Sequence, residues 1–256
     1  MAFALRNRQE VDSEQFAQML EQSPAKAAQA LLAAAGQDLV EAQLLLGQIL
    51  LDGRGIEKDP ALARRWFAIA ARRGSAMADN MLGRCLEHGW GGEVDPALAA
   101  RHYGQAARSG LDWGMYNLAN LLGTGRGVAL DHAAALALYR QAAELGHAKS
   151  MNLLGRYLEQ GLACTVDLLQ AREWYRRSAE AGDFRGQFSH ATTLVEQGRL
   201  EQALPWLERA LALGNLNFLR ACTPILEQSQ EPRLRPWAAA YRTRLDELLG
   251  VSQQAG

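Results

Sequence analysis

Six glycines mark out this chain at nearly constant steps. Gly36, Gly74, Gly110, Gly146, Gly182 and Gly214 follow one another at separations of 38, 36, 36, 36 and 32 residues. A fixed period of this length means that one supersecondary unit is repeated and stacked on its own copies, because a single unit cannot bury its apolar face alone. The period limits the chain to repeat architectures before any single residue is considered.

Other positions keep the same phase. Leu46, Leu82, Leu118 and Leu154 align, followed by Gly47, Gly83, Ala119 and Gly155, then by Leu50, Leu86, Leu122 and Leu158. Further along each copy stand Asp59, Asp95, Asp131 and Asp167, then Ala63, Ala99, Ala135 and Ala171, then Phe67, Tyr103, Tyr139 and Tyr175.

Each unit reads as helix, turn, helix. From Met77 to Leu86 the apolar and small residues Met77, Ala78, Met81, Leu82, Gly83, Cys85 and Leu86 form a stripe of helical period, which predicts a first helix. Gly53-Arg54-Gly55, Gly89-Trp90-Gly91 and Gly125-Arg126-Gly127 then predict a sharp reversal, with Gly161-Leu162-Ala163 as a degenerate fourth version. The recurrent aspartates are N-cap residues of a second helix, reinforced by Pro60 and Pro96 at its first position.

Small residues hold two further places. Ala42, Ala78, Gly114, Ser150 and Gly186 share one position of the first helix, and Ala63, Ala99, Ala135, Ala171 and Ala203 one position of the second. They let neighbouring backbones approach closely, so their role is packing.

Together these residues resemble the Sel-1-like repeat, a relative of the tetratricopeptide repeat. The pattern is a small residue, Leu-Gly, a Gly-x-Gly loop, Asp, Ala, an aromatic pair, Ala-Ala and a closing Gly. The copy from Met115 to Gly146 matches it most fully, and residues 36–182 hold four copies. The resemblance implies an all-α fold, a right-handed superhelical α-solenoid of stacked antiparallel helix pairs. It also implies an adaptor that organises complexes, as such proteins do in signalling, envelope and secretion pathways.

The ends depart from the pattern. Residues 1–35 are expected to form an N-terminal capping helix pair, with Asp12 or Ser13 capping one helix and Ser23-Pro24 opening the other. Residues 183–214 resemble an ordinary tetratricopeptide unit. Residues 215–250 are expected to supply C-terminal capping helices, ending in an amphipathic helix from Pro236 to Leu249, and 251–256 a tail.

Composition excludes several classes. The chain has 256 residues, 48% apolar and 21% charged, with a net charge of -1 and no long run of one sign, so no broad nucleic-acid footprint is expected. No stretch of eighteen apolar residues suggests a membrane span, and the polar run Arg6-Asn7-Arg8-Gln9-Glu10 leaves no room for a secretory apolar core. The three cysteines, Cys85, Cys164 and Cys222, occupy non-equivalent positions and read as free thiols. A cytoplasmic protein is expected.

Enzymatic chemistry is not written in the motifs. His88, His102, His132, His147 and His190 form no metal-ligand spacing, no nucleophile elbow is present, and the glycine loops lack the lysine of a phosphate loop. No catalytic residue, metal or cofactor is expected.

What remains is a groove. In tetratricopeptide arrays the concave face is lined by the first helix of each unit, so the resemblance implies a peptide-binding groove formed by Asn80, Arg84, Trp113, Tyr116, Asn117, Asn120, Lys149, Asn152, Arg156, Arg185 and Phe188. Asparagine amides pair with peptide backbone, arginines hold carboxylates and the aromatics supply apolar contact. The expected partner is a protein or peptide segment with acidic or C-terminal carboxylate groups. The alternative is a small-molecule binder or enzyme using the same groove, since some relatives have been linked to antibiotic binding. Those relatives are disulfide-rich, unlike this chain.

Overall fold

A computed structural model of the chain describes residues 3–4, 10–11 and 21–250. Its contacts divide it into two compact units, the first running to Leu138 and the second starting at Tyr139. The boundary falls inside helix α7 (His132–Glu144).

The first unit holds α1 (Pro24–Ala35), α2 (Val40–Asp52), α3 (Pro60–Arg72), α4 (Ala76–His88), α5 (Pro96–Arg108) and α6 (Asp112–Thr124). Each packs on the next in sequence, and α4 also meets α6, so first helices of successive pairs lie side by side. The second unit holds α8 (Ala148–Gln160), α9 (Leu168–Glu180), α10 (Phe184–Glu196), α11 (Leu200–Leu213), α12 (Leu216–Glu227) and α13 (Arg235–Leu249). There α8 packs on α9, α9 on α10, α10 on α11 and α12 on α13, with α8 also touching α10. The all-α fold class of stacked helix pairs is thus what the chain adopts.

The aspartates act as expected. Carboxylates of Asp59, Asp95, Asp131 and Asp167 accept from the backbone N–H groups of Leu62, Leu98, Ala134 and Gln170 at 2.8, 2.8, 2.9 and 2.9 Å. Each cap stabilises its helix by about 1 kcal/mol. In the turn before Asp95, Gly91 sits at φ 75° and so close to the preceding helix that a Cβ would stand 2.1 Å from the carbonyl oxygen of Pro60. Only glycine meets both demands. In the fourth loop Ala163 takes the same left-handed region at φ 57°, so the degenerate copy keeps the turn at some cost in strain.

The small positions are packing positions. Ala42, Ala78 and Ser150 are fully buried, as are Ala63, Ala99, Ala135 and Ala203. Around them one apolar cluster in the first unit gathers Leu31, Leu46, Leu50, Phe67, Leu86 and Tyr103, and another in the second gathers Phe188, Leu207, Phe218, Leu219 and Tyr241.

The ends differ in detail from the sequence reading. Phe3–Ala4 and Glu10–Val11, ahead of the first helix cap expected from sequence, form a two-stranded antiparallel pair with Phe3 opposite Val11. Helix α1 does begin at Pro24, but the Ser23 side chain makes no cap hydrogen bond. The expected caps at Asp12 and Ser13 lie outside the described residues. At the other end a 3-10 turn, Pro232–Leu234, leads directly into α13.

Candidate binding surface

In the second unit the first helices of three successive pairs, α8, α10 and α12, converge on a cavity of about 440 Å³. Apolar side chains form much of its wall: Phe188 is buried and meets Phe218 edge-on, ring centroids 5.7 Å apart, and Phe218 packs in turn on Phe184 at 5.0 Å. Ala221, Cys222 and Ile225 continue this wall along α12, and Ile225 is 52% exposed. Asn152 and Arg156 of α8 and Arg185 of α10 also line it.

Asn152 is the residue of most chemical interest. It lies one turn inside α8, 4% exposed, and its Oδ1 has no hydrogen-bond partner among the described residues. A buried amide oxygen left unpaired costs about 1–3 kcal/mol, which a donor supplied by a ligand recovers. Arg156, one turn further on, is exposed, while the Arg185 guanidinium lies over the Phe184 ring at 4.6 Å. Glu159 on the same rim accepts from the Tyr175 hydroxyl at 2.9 Å.

Four of the residues expected from sequence, Asn152, Arg156, Arg185 and Phe188, therefore come together. Lys149 lies half-buried in the first turn of α8 and is not part of the cavity wall. Sequence reasoning missed Thr192, Glu196, Asn217, Phe218, Ala221 and Ile225. The signal that would have found α12 is the helical apolar period of 216–227, one pair beyond the last repeat glycine.

In the first unit the expected residues make structural contacts. Asn117 donates through Nδ2 to Asn80 Oδ1 at 2.8 Å, tying α6 to α4, and Asn80 is only 3% exposed. The Arg84 guanidinium lies over the Trp90 ring at 4.9 Å. Trp113 and Tyr116 meet edge-on at 6.0 Å, and Asn120 is half-buried beside them on α6, its carbonyl accepting from the Thr124 hydroxyl at 2.7 Å. Asn80 is thus committed to the interior rather than presented on a groove wall.

Cys85 and Cys222 are poor nucleophiles. Burial pushes the Cys85 thiol up to about 11 and the Cys222 thiol up to about 12, against the opposing pull of nearby arginines. Cys164 is half-buried and its thiol approaches the Tyr157 carbonyl at 3.5 Å. No group of three metal-ligating side chains occurs among the described residues, and no helix among them is long and apolar enough to cross a membrane.

The model for the Sel1 repeat matches residues 40–75, 76–111, 114–147, 148–183 and 199–215. Among solved structures, a Sel1 repeat protein from Oxalobacter formigenes is 25% identical, covering 88% of this chain and 94% of its own, with a TM-score of 0.74. A protective antigen of uropathogenic Escherichia coli with an SLR fold is 28% identical at a TM-score of 0.70, and the match spans 91% of this chain and 52% of the antigen. An immunity protein from Pseudomonas aeruginosa, 16% identical over 84% of this chain and 81% of its own, shares the fold at a TM-score of 0.54. No curated protein matches the sequence.

Proposed function

The chain belongs to the Sel1 repeat family, and on that premise we propose that it is a non-catalytic adaptor whose α8–α10–α12 wall holds an extended segment of a partner protein. Sel1 repeat proteins generally mediate protein–protein interaction and are generally scaffolds without catalysis. The observation that carries the finer reading is the unpaired Oδ1 of Asn152 at a cavity with an apolar wall and two arginines.

An extended peptide matches each part. Its backbone N–H donates to Asn152, one apolar side chain packs against Phe188, Phe218 and Ile225, and a carboxylate, from an acidic side chain or a C-terminus, pairs with Arg156 or Arg185.

The test uses peptides selected from a random display library on the immobilised protein, with affinities read by fluorescence anisotropy. The double variant Asn152→Leu/Arg156→Ala should keep its helical circular dichroism and bind these peptides at least tenfold more weakly. Equal binding by a folded double variant would refute the assignment.

A further inference from the structure

A second cavity, of about 430 Å³, opens in the first unit between the second helices α3 and α5, with α4 between them. Its wall includes Ala71 and Arg72 from α3, Asp79 and Leu82 from α4, and His102 and Gln105 from α5. The repeat register explains why space exists there. The position of His102 is Trp66 in the first copy, Leu138 in the third, Trp174 in the fourth and Trp206 in the fifth, so three of the other four copies place an indole there.

The second unit shows where such a tryptophan goes. The Trp206 ring lies 5.4 Å from His190, and His190 holds the same place in its helix as Leu82 does in α4. The second unit thus fills with its own indole the place over the first helix that the cavity beside Leu82 occupies. His102 is smaller than tryptophan and is drawn to Asp79, whose Oδ1 stands 2.9 Å from Nδ1. Asp79 also stands apart from its equivalents, which are Gln43 and Gln187 in the first and fifth copies and Met115 and Met151 in the third and fourth.

The Asp79–His102 pair also sets the chemistry of the cavity. A carboxylate only accepts, so Nδ1 carries a proton, and it is in the neutral form of the ring that Nε2 is left as an acceptor. No hydrogen bond to Nε2 occurs among the described residues. We propose that this cavity is a binding site for an indole ring, the tryptophan side chain of a partner protein, whose N–H donates to His102 Nε2 while the ring takes the volume that the repeat's own tryptophan fills elsewhere. The volume falls in the range of small-ligand pockets, and the site is independent of the α8–α10–α12 wall.

N-acetyl-tryptophanamide is the probe, titrated into the full chain by calorimetry, with N-acetyl-leucinamide as control. The double variant Asp79→Gln/His102→Trp rebuilds the pairing of the first and fifth copies and should close the cavity. Saturable binding of the tryptophan probe is expected, at least tenfold stronger than the leucine probe and at least tenfold weakened in the double variant. A histidine ring NMR spectrum of the unmodified protein gives a readout that needs no variant: His102 should shift most among the five histidines. Absence of saturable binding, equal binding of both probes, equal binding by the double variant, or a larger shift at another histidine would each overturn the proposal.

Discussion

The ring of Tyr103 lies so close to Gly83 that a methyl group on Gly83 would stand 2.6 Å from the ring carbon Cε1. The same contact recurs between Gly155 and Tyr175, again at 2.6 Å, and between Gly47 and Phe67 at 2.5 Å. A glycine in three of the first helices, α2, α4 and α8, is therefore the seat of an aromatic ring from the second, while α6 carries Ala119 at that place.

Gly83→Ala should destabilise the fold although it improves helix propensity. Propensity favours alanine by about 1 kcal/mol, while forcing a fully buried ring aside costs about 1–3 kcal/mol. Gly104→Ala is the counter-case: a Cβ there would meet only Arg108 and Leu118, at 3.5 and 3.9 Å, and φ is not left-handed. Thermal unfolding should show a lower midpoint for the first variant and a higher one for the second.

Removing the amide of Asn117 strands a buried oxygen. Asn80 Oδ1 accepts from it at 2.8 Å, so Asn117→Ala should cost about 1–3 kcal/mol. Urea unfolding checks this, and a variant within 0.3 kcal/mol of the parent, less than the low end of the usual penalty, would mean that the pair contributes nothing.

Alkaline pH should unfold the protein before its buried phenols ionise. Burial raises Tyr103, Tyr175 and Tyr241, helped for the first two by hydrogen bonds to Glu87 and Glu159. Their folded values lie above the ordinary value of 10.0, so the stability they contribute is complete below that pH and is lost as pH rises past it. Phenolate absorbance should therefore appear for these three only together with loss of helical circular dichroism, and Tyr103→Phe should shallow the alkaline slope.

His190 gives the opposite sign. Burial lowers it from 6.5, with Arg176 and Arg199 acting in the same direction and Glu180 and Glu173 against it. Stability tied to a depressed histidine is present above 6.5 and lost as pH falls through the folded value. Its Nδ1 has no partner among the described residues, and the equivalent residues are Leu82, Leu118 and Leu154. His190→Leu should therefore raise the urea midpoint more at pH 5 than at pH 7.5.

The legible parts of the fold were those that a local rule repeats. The Asp95 cap, the Gly91 turn and the buried Ala99 each follow from chemistry within a few residues, seen four or five times over. Surface assignment was harder, because flanking the apolar stripe does not decide exposure: Asn80 and Phe188 flank it and are buried, one by pairing with Asn117 and the other by Phe218 and Tyr241. The α12 side of the cavity escaped because the 36-residue period ends before it. The Asp79–His102 pair carries no motif and shows only when its column is compared with Trp66, Trp174 and Trp206.

The central claim is that a partner segment lies along α8, α10 and α12 with its backbone on Asn152. An amide-resolved NMR titration with a display-selected peptide tests it most directly. The account predicts that the Asn152 side-chain amide shifts at saturation together with backbone amides of 152–156, 185–192 and 217–225. Shifts confined to residues elsewhere, with the Asn152 amide unmoved while the peptide is fully bound, would contradict it.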